Sequence, residues 1–322
     1  MRPPRARRAA EEGLRSEALR EGLSAALAGK PERLEDLLCR YGGGADPRPN
    51  LRLAAAFGAE IGARGAAAER LLARLAADDA DPETPRVFLT IAAAFGWASW
   101  LGTPALAGRA WTALGELAAD ERAPVRVATV EALRAFAVGS GGALALVTAA
   151  EGWLSLDDLD ARFTAAAVAI EVLRDRRFVS ALAARAELPR YLDRVVAEVA
   201  GAPRSSQRLD GRRRLLQALP PTLTLVVGAA GARAPAAPST PSMPSTPSTI
   251  DWFEQICATA DDPDVRAVLS SAILGLQAEA VGASPVLVER LRELMVASAK
   301  PLRDPTRLRP GVGRGKASRA MR

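Results

Sequence analysis

The segment from Asp120 to Phe136, DERAPVRVATVEALRAF, is one copy of a pattern that recurs along the chain. An aspartate and a proline precede an aliphatic residue and an arginine, and apolar residues then follow at helical spacing. Similar segments contain Asp46 and Asp262, and the five-residue word AAAFG occurs twice, 38 residues apart. Self-similarity at this period predicts copies of one supersecondary unit, because each copy needs neighbours to bury its apolar face.

The residue before each arginine sets the register of the repeat. It lies at positions 51, 125 and 161, and the second AAAFG word adds position 89, so the steps are 38, 36 and 36 residues. Another copy has its mark at position 265. The long gap after 161 contains a Pro/Ser/Thr-rich segment, 230 to 249, and leaves room for one degenerate copy. We expect that copy around Leu209 to Leu219.

Each copy is predicted to be a pair of antiparallel helices. The aspartate can cap the first helix and the proline suits its first turn, and a glycine-containing break separates this helix from a second amphipathic segment. Apolar residues make up 49 % of the chain but aromatic residues only 4 %. Alanine favours helices, and the residues that favour strands are sparse. The fold class is therefore predicted to be all-α.

This pattern resembles the HEAT repeat of armadillo-like helical proteins. The matching positions in the clearest copy are Asp120, Val125, Arg126, Ala128, Ala132 and Leu133. The resemblance covers about residues 31 to 299 and implies an α-solenoid of about six to seven HEAT-like antiparallel helix pairs. In such repeats the aspartate and the arginine tie adjacent helix pairs together, so Asp120 and Arg126 are expected to be structural ties. The copies near 89, 161 and 209 depart from the pattern.

The repeat and the composition together predict five parts of the chain. Residues 1–12 form a basic, disordered N-terminus, 13–229 the HEAT-like solenoid, 230–249 a flexible Pro/Ser/Thr-rich loop, 250–299 the last HEAT-like helices, and 300–322 a basic, disordered tail. The tail has little hydrophobic content and several glycines and prolines, a composition typical of disorder. The loop has the composition of an extended, solvated linker.

Several classes of site do not fit the composition. The chain has no histidine, which excludes Ser-His-Asp and Cys-His relays and metal sites that need histidine. Its two cysteines, Cys39 and Cys257, lie far apart and fit neither a disulfide framework nor a zinc cluster, so we expect buried thiols. We predict no cofactor, no metal and no catalytic residue. An enzyme of the HEAT-like lyase type is neither supported nor excluded.

Basic residues are concentrated at the two ends of the chain. The net charge is +6, yet residues 9 to 299 alone carry −5. The candidate contacts for nucleic acid or another anion are Arg212, Arg213, Arg214, Arg307, Arg309, Arg314 and Lys316. The tail is of a kind that binds nucleic acid nonspecifically. A solvated helix face is the other interpretation of the run at Arg212 to Arg214.

Two tryptophans, Trp97 and Trp100, lie close together in the sequence. In a helical-repeat DNA alkylation-repair enzyme, aromatic side chains on the concave face would contact the damaged base, so these two are candidate concave-face residues. The other interpretation is that they fill gaps between alanine-rich helices, where small side chains leave room.

The function predicted from these features is that of a non-enzymatic scaffold whose superhelical surface binds another protein or a peptide. The alternative is a nucleic-acid-binding or DNA-alkylation-repair-like helical-repeat protein. No apolar run reaches the length of about 18 residues that a membrane span requires, and no secretory signal is recognisable at the N-terminus. We therefore expect no membrane partner and a cytoplasmic location.

Overall fold

The structure, a computed structural model, describes residues 4–43, 49–136, 141–182, 185–232, 248–278 and 283–299, with the backbone alone for residues 4–15. These residues form fifteen α-helices and two short 3₁₀-helices, Gly65–Ala68 and Arg204–Arg208, and contain no strand. The predicted all-α fold class is confirmed. The α-helices are α1 (Pro4–Leu27), α2 (Glu32–Tyr41), α3 (Leu51–Arg64), α4 (Glu69–Ala76), α5 (Val87–Ala98), α6 (Pro104–Ala118), α7 (Ala123–Phe136), α8 (Gly142–Trp153), α9 (Leu159–Val172), α10 (Arg176–Leu182), α11 (Glu187–Gly201), α12 (Asp210–Gly231), α13 (Thr249–Thr259), α14 (Pro263–Ala278) and α15 (Pro285–Ala297).

Six helices begin near the positions that set the register of the repeat. We name them the repeat helices: α3, α5, α7, α9, α12 and α14. They pack against one another in chain order, α3 on α5, α5 on α7, α7 on α9, α9 on α12, and α12 on α14. The helices between them pack against the repeat helices, since α6 packs on α5, α7 and α9, and α13 packs on α12 and α15. Every residue of α5 is buried.

Aspartates precede several of these helices, as the repeat predicts. Asp158 accepts a hydrogen bond from a first-turn amide of α9, and Asp262 accepts two from the first turn of α14. Asp120 instead accepts from the backbone amide of Arg122, one residue before α7 begins, and so forms a turn rather than a cap. The side chains satisfy amides that would have no partner within the helix.

Glycines allow neighbouring repeat helices to approach closely. A Cβ atom added to Gly58 of α3 would lie 2.6 Å from the carbonyl oxygen of Phe95 in α5. Gly211 of α12 meets the backbone of Asp160 in α9 in the same way. No side chain fits at these contacts, because the neighbouring atom belongs to the backbone and cannot rotate aside.

Helix α12 continues through two prolines, Pro220 and Pro221, that cannot donate backbone hydrogen bonds. Threonine hydroxyl groups lie beside the interrupted segment. The hydroxyl of Thr222 lies 3.1 Å from the carbonyl oxygen of Ile170 in α9, and that of Thr224 lies 3.1 Å from the carbonyl oxygen of Ala272 in α14. Side-chain hydrogen bonds thus join α12 to both of its neighbours in the row.

One predicted part of the chain overlaps helix α1, and two others fall largely or wholly outside the described residues. Helix α1 begins at Pro4, within residues 1–12 that the sequence predicts as a basic, disordered N-terminus, and it continues into the segment that packs on α2. The predicted Pro/Ser/Thr-rich loop lies between α12 and α13, and its residues 233–247 are outside the described ranges. The predicted tail, 300–322, is also outside the described ranges. Within those ranges, no helix has both the length and the apolar character of a membrane span.

Candidate functional site

The arginines of the repeat share one local geometry. In four repeat helices the guanidinium group donates a hydrogen bond to a group six residues earlier in the chain, in the loop that leads into its helix. The four bonds are Arg126 to the Asp120 carbonyl (2.6 Å), Arg162 to the Leu156 carbonyl (2.7 Å), Arg266 to the Ala260 carbonyl (3.1 Å) and Arg212 to the Ser206 hydroxyl (3.4 Å). Each arginine therefore closes the loop before its own helix.

Arg126 does not form the predicted tie between adjacent helix pairs. Its hydrogen bonds go to the carbonyl oxygens of Asp120 and Glu121, within its own unit, because the side chain folds back over the start of α7. The bridging residue is Arg122, which donates to the carbonyl oxygens of Asp78 (2.8 Å) and Ala80 (3.1 Å). Asp120 contributes indirectly, since its carboxylate holds the guanidinium of Arg122 at 2.7 Å.

The run of three arginines at the start of α12 divides into three environments, because successive side chains on a helix point in different directions. Arg212 is 4 % exposed, forms a 2.7 Å ion pair with Asp264 of α14, and donates to the carbonyl oxygen of Val199. The prediction that Arg212 contacts an external anion is wrong, because its charge is already paired and buried. Arg213 is exposed and pairs with Asp210. Arg214 is half-buried and faces α7 and α9.

The tryptophan pair is part of the core. Trp97 and Trp100 are buried, with ring centroids 5.1 Å apart in an edge-to-face arrangement. The indole nitrogen of each is buried without a hydrogen-bond partner among the described residues. The prediction of concave-face aromatics is wrong here, because α5 is covered on all sides by neighbouring helices.

Both cysteines are free thiols, and burial raises the pKa of each. For Cys257, which lies in the core, burial raises the pKa to about 12. An ordinary thiol, such as that of the unfolded chain, has a pKa of about 8.5. Between these values the unfolded state loses the proton while the folded state keeps it, so stability falls as the pH rises.

We therefore expect a pH-dependent difference between the wild type and a Cys257→Ala variant. From pH 8 to pH 10 the wild type loses about 2 kcal/mol more of its free energy of unfolding than the variant does. Urea unfolding at both pH values under reducing conditions measures this. Equal losses in the two proteins would show that the Cys257 thiol ionises as easily in the folded state as in the unfolded state.

A pocket of about 70 Å³ lies between α7, α9 and α12. Its charged walls are Arg126, Glu171 and Arg214, and its apolar walls include Val127, Thr164 and Val168. Arg126 is only 6 % exposed, and its Nη2 atom is buried without a hydrogen-bond partner among the described residues. Burial, and next the nearby charge of Arg214, lower the pKa of Arg126. The pocket thus holds two guanidinium groups whose charges are incompletely compensated.

A second, more open pocket of about 550 Å³ lies where α7 and α9 end. It is lined by Glu131, Arg134, Ala135, Arg174, Asp175 and Arg177. Two ion pairs lie within it, Arg134 with Glu131 at 2.7 Å and Arg177 with Asp175 at 2.6 Å. The Arg177 guanidinium holds the pKa of the Asp175 carboxyl below its usual value. Among the described residues, the side chain of Arg174 forms no hydrogen bond or ion pair.

Glu171 connects the two pockets. Its side chain lines the smaller pocket, and its backbone carbonyl accepts a 2.6 Å hydrogen bond from Arg134, which lines the larger one. We name the combined feature the α7–α9 surface, which consists of Arg126, Val127, Glu131, Arg134, Thr164, Val168, Glu171, Arg174, Asp175, Arg177 and Arg214. Five arginines stand there against three carboxylates, within a body whose charge is otherwise acidic.

The sequence indicated only one residue of this surface, Arg214, as a contact, and it indicated Arg126 only as a structural tie. The others lie in two different copies of the repeat, and the short basic stretch from Arg174 to Arg177 was not singled out. The remaining predicted contacts, Arg307, Arg309, Arg314 and Lys316, lie outside the described residues. Over the described ranges, no group of three or more cysteine and acidic residues is arranged to hold a metal ion.

The chain was compared with known proteins in three ways. No protein-family model matches it, and neither a curated protein nor a solved structure with significant similarity was found. What the chain binds is therefore inferred from the chemistry of the α7–α9 surface.

Proposed function

We propose that the chain is a HEAT-like α-solenoid that acts as a non-enzymatic scaffold and binds a partner protein through the α7–α9 surface. Two features of the structure support the solenoid. The repeat helices pack on one another in chain order, and four of them share an arginine that closes the preceding loop. Neighbour-to-neighbour contacts of equivalent elements are typical of repeat architectures.

The observation that best supports the binding function is that the α7–α9 surface contains arginines without ion-pair partners among the described residues. Arg174 and Arg214 have no ion-pair partner among the described residues, and Val127 beside them is 52 % exposed. Protein interfaces are enriched in arginine and combine it with apolar side chains at their centre. A partner with a complementary acidic and apolar surface fits this combination.

The nucleic-acid alternative has weaker support from the same residues. Backbone contacts need several basic side chains that are free to approach phosphates, and Arg134 and Arg177 are already paired with carboxylates. Trp97 and Trp100, which favoured base recognition, are buried. Binding that depends on nucleic acid would therefore contradict the proposal.

Affinity capture from native lysate, treated with nuclease, tests the scaffold function. We compare the full chain with a double variant of the surface, Arg174→Glu with Arg214→Glu, and with a control of equal charge change, Arg52→Glu with Arg213→Glu. Both control positions are exposed arginines outside the α7–α9 surface. Because arginines at the centre of an interface contribute strongly, we expect at least about a tenfold loss of one saturably bound protein in the surface variant alone.

Two results would contradict the scaffold function at this surface. In the first, the surface variant and the control capture the same proteins equally well. In the second, the protein is captured from lysate without nuclease but is absent from the capture after nuclease treatment, so its binding depends on nucleic acid. Circular dichroism of each variant establishes that its helices are intact.

A further inference from the structure

The small pocket has the features of a built anion site. Arg126 is buried and held in place by hydrogen bonds from its Nη1 atom to the carbonyl oxygens of Asp120 and Glu121. Its Nη2 atom has no acceptor among the described residues. Arg214 lies on the α12 side of the same pocket and forms no ion pair within the described part of the chain. One fixed and one adjustable guanidinium group therefore border the same small space.

The charge of the pocket favours an anion with a single negative charge. Arg126 and Arg214 contribute two positive charges and Glu171 one negative charge, and no ion pair joins Glu171 to either arginine among the described residues. Asp120, Glu171 and Asp160 each partly offset the repulsion between Arg126 and Arg214. A carboxylate would complete the neutralisation. A doubly charged phosphoryl group would exceed the positive charge that remains and would be repelled by Glu171 more strongly than a carboxylate is.

The residues that line the pocket indicate which kind of molecule provides the carboxylate. Thr164 and Val168 of α9 form its floor together with Ala167, and Val127 stands exposed at its edge. These groups suit the methylene stem of an acidic side chain rather than a hydrated inorganic anion. A volume of about 70 Å³ is roughly that of two waters in the liquid, so it accommodates one such side-chain group.

We infer that this pocket binds the side-chain carboxylate of an aspartate or glutamate in an acidic segment of the partner protein, with Arg126 and Arg214 as its hydrogen-bond donors. The inference rests on the proposed scaffold function and specifies its recognition chemistry. The adjoining pocket with Arg134, Arg174 and Arg177 continues the surface, so an extended acidic segment can follow α7 and α9 after its first carboxylate is bound. Charge-assisted hydrogen bonds of this kind are among the strongest that arginine makes.

A titration followed by nuclear magnetic resonance tests the assignment at the residues themselves. The probe is the peptide acetyl-Gly-Glu-Gly-Glu-Gly-amide, added to the full chain labelled with ¹⁵N, and the signals observed are the arginine side-chain Nε–Hε groups. Variants Arg126→Lys and Arg214→Gln assign the two signals. We expect saturable shifts of both, and no shift with the matched peptide in which glutamine replaces glutamate.

The affinity of the variants gives the second readout. Arg214→Gln weakens peptide binding about tenfold, the effect of losing one charge-assisted hydrogen bond, whereas the adjacent Arg213→Gln changes it less than about twofold. Because both variants keep the basic tail and lose one charge, their difference reports the pocket alone.

Three results would overturn the inference. They are an equal loss of affinity in Arg213→Gln and Arg214→Gln, shifts that the glutamine peptide reproduces, and displacement of the peptide by inorganic phosphate more strongly than by chloride at equal ionic strength. If any of these occurs while the lysate partner is still lost in the Arg174 and Arg214 double variant, the scaffold function stands and only the carboxylate assignment fails.

Discussion

Replacing Arg212 with methionine lowers the free energy of unfolding by about 2 kcal/mol, because a buried arginine loses an ion pair and a hydrogen bond. The arginine is almost fully buried, and its guanidinium group forms a 2.7 Å ion pair with Asp264 and donates to the carbonyl oxygen of Val199. Methionine fills much of the volume but leaves both acceptors without their donor. The carbonyl oxygen of the buried Val199 is then left without its donor, which is costly, whereas the Asp264 side chain is 35 % exposed and regains water, so the loss is smaller than for a fully buried pair.

The adjacent arginine provides the control. Arg213 is exposed and pairs with Asp210 one turn earlier, and an exposed pair of this kind contributes about 0 to 1 kcal/mol. Arg213→Met therefore changes the stability by less than about 1 kcal/mol. Urea unfolding followed by circular dichroism compares the two variants. If both lose the same stability, Arg212 does not join α12 to α14 as described.

Replacing Gly58 with alanine destabilises the fold by about 2 kcal/mol, although alanine is the better helix former. The new Cβ atom would lie 2.6 Å from the carbonyl oxygen of Phe95 and 3.0 Å from its carbonyl carbon. Both are backbone atoms, so relief requires α3 and α5 to move apart. That movement opens the contact between two repeat helices and lowers the packing density there.

The same substitution at Gly108 has the opposite sign. Gly108 lies inside α6, and no heavy atom is within 4 Å of the position of its missing Cβ. Gly108→Ala therefore stabilises the protein by roughly 0.5 to 1 kcal/mol, through the conformational entropy of the unfolded chain. Thermal unfolding of both variants measures the pair of effects. A Gly58→Ala variant that is as stable as the wild type would contradict the close approach of α3 and α5.

The repeat pattern predicts the placement of the helices because it reflects local physics. Aspartate caps and alanine-rich helical spacing act within one unit, and the helices at Val125 and Val265 begin where the pattern places them. The word AAAFG also marks Gly58 and Gly96, which lie at contacts with other helices: an added Cβ atom would meet the backbone of Phe95 at Gly58 and the side chain of Leu72 at Gly96. The helix boundaries, by contrast, are determined by residues that are close in the sequence.

Contacts between units were harder to predict. The partner of Arg126 is in its own loop, and the bridging arginine is Arg122, which the repeat register does not mark. Trp97 and Trp100 are buried because α3, α4, α6 and α7 all pack on α5, a number of neighbours that the spacing of apolar residues in α5 does not reveal. Composition and spacing carry no information about which helices cover a given face.

The candidate site was only partly predictable for the same reason. Arg214 stands out in a run of three arginines, but Arg126 and Arg174 lie in different copies of the repeat, far from it in the sequence. They belong to one surface only because α7 packs on α9 and α9 on α12. The total charge of the chain does not predict the position of this surface either. The basic residues are concentrated at the ends, whereas the α7–α9 surface lies within the acidic body.

We propose that the α7–α9 surface, and not the basic ends of the chain, binds the partner protein. Hydrogen–deuterium exchange of the full chain, with and without the protein recovered by affinity capture, tests this directly. We predict that binding slows exchange in α7 (Ala123–Phe136), in α9 (Leu159–Val172) and at the start of α12 near Arg214. Slower exchange confined to residues 300–322, with α7 and α9 unchanged, would contradict the claim.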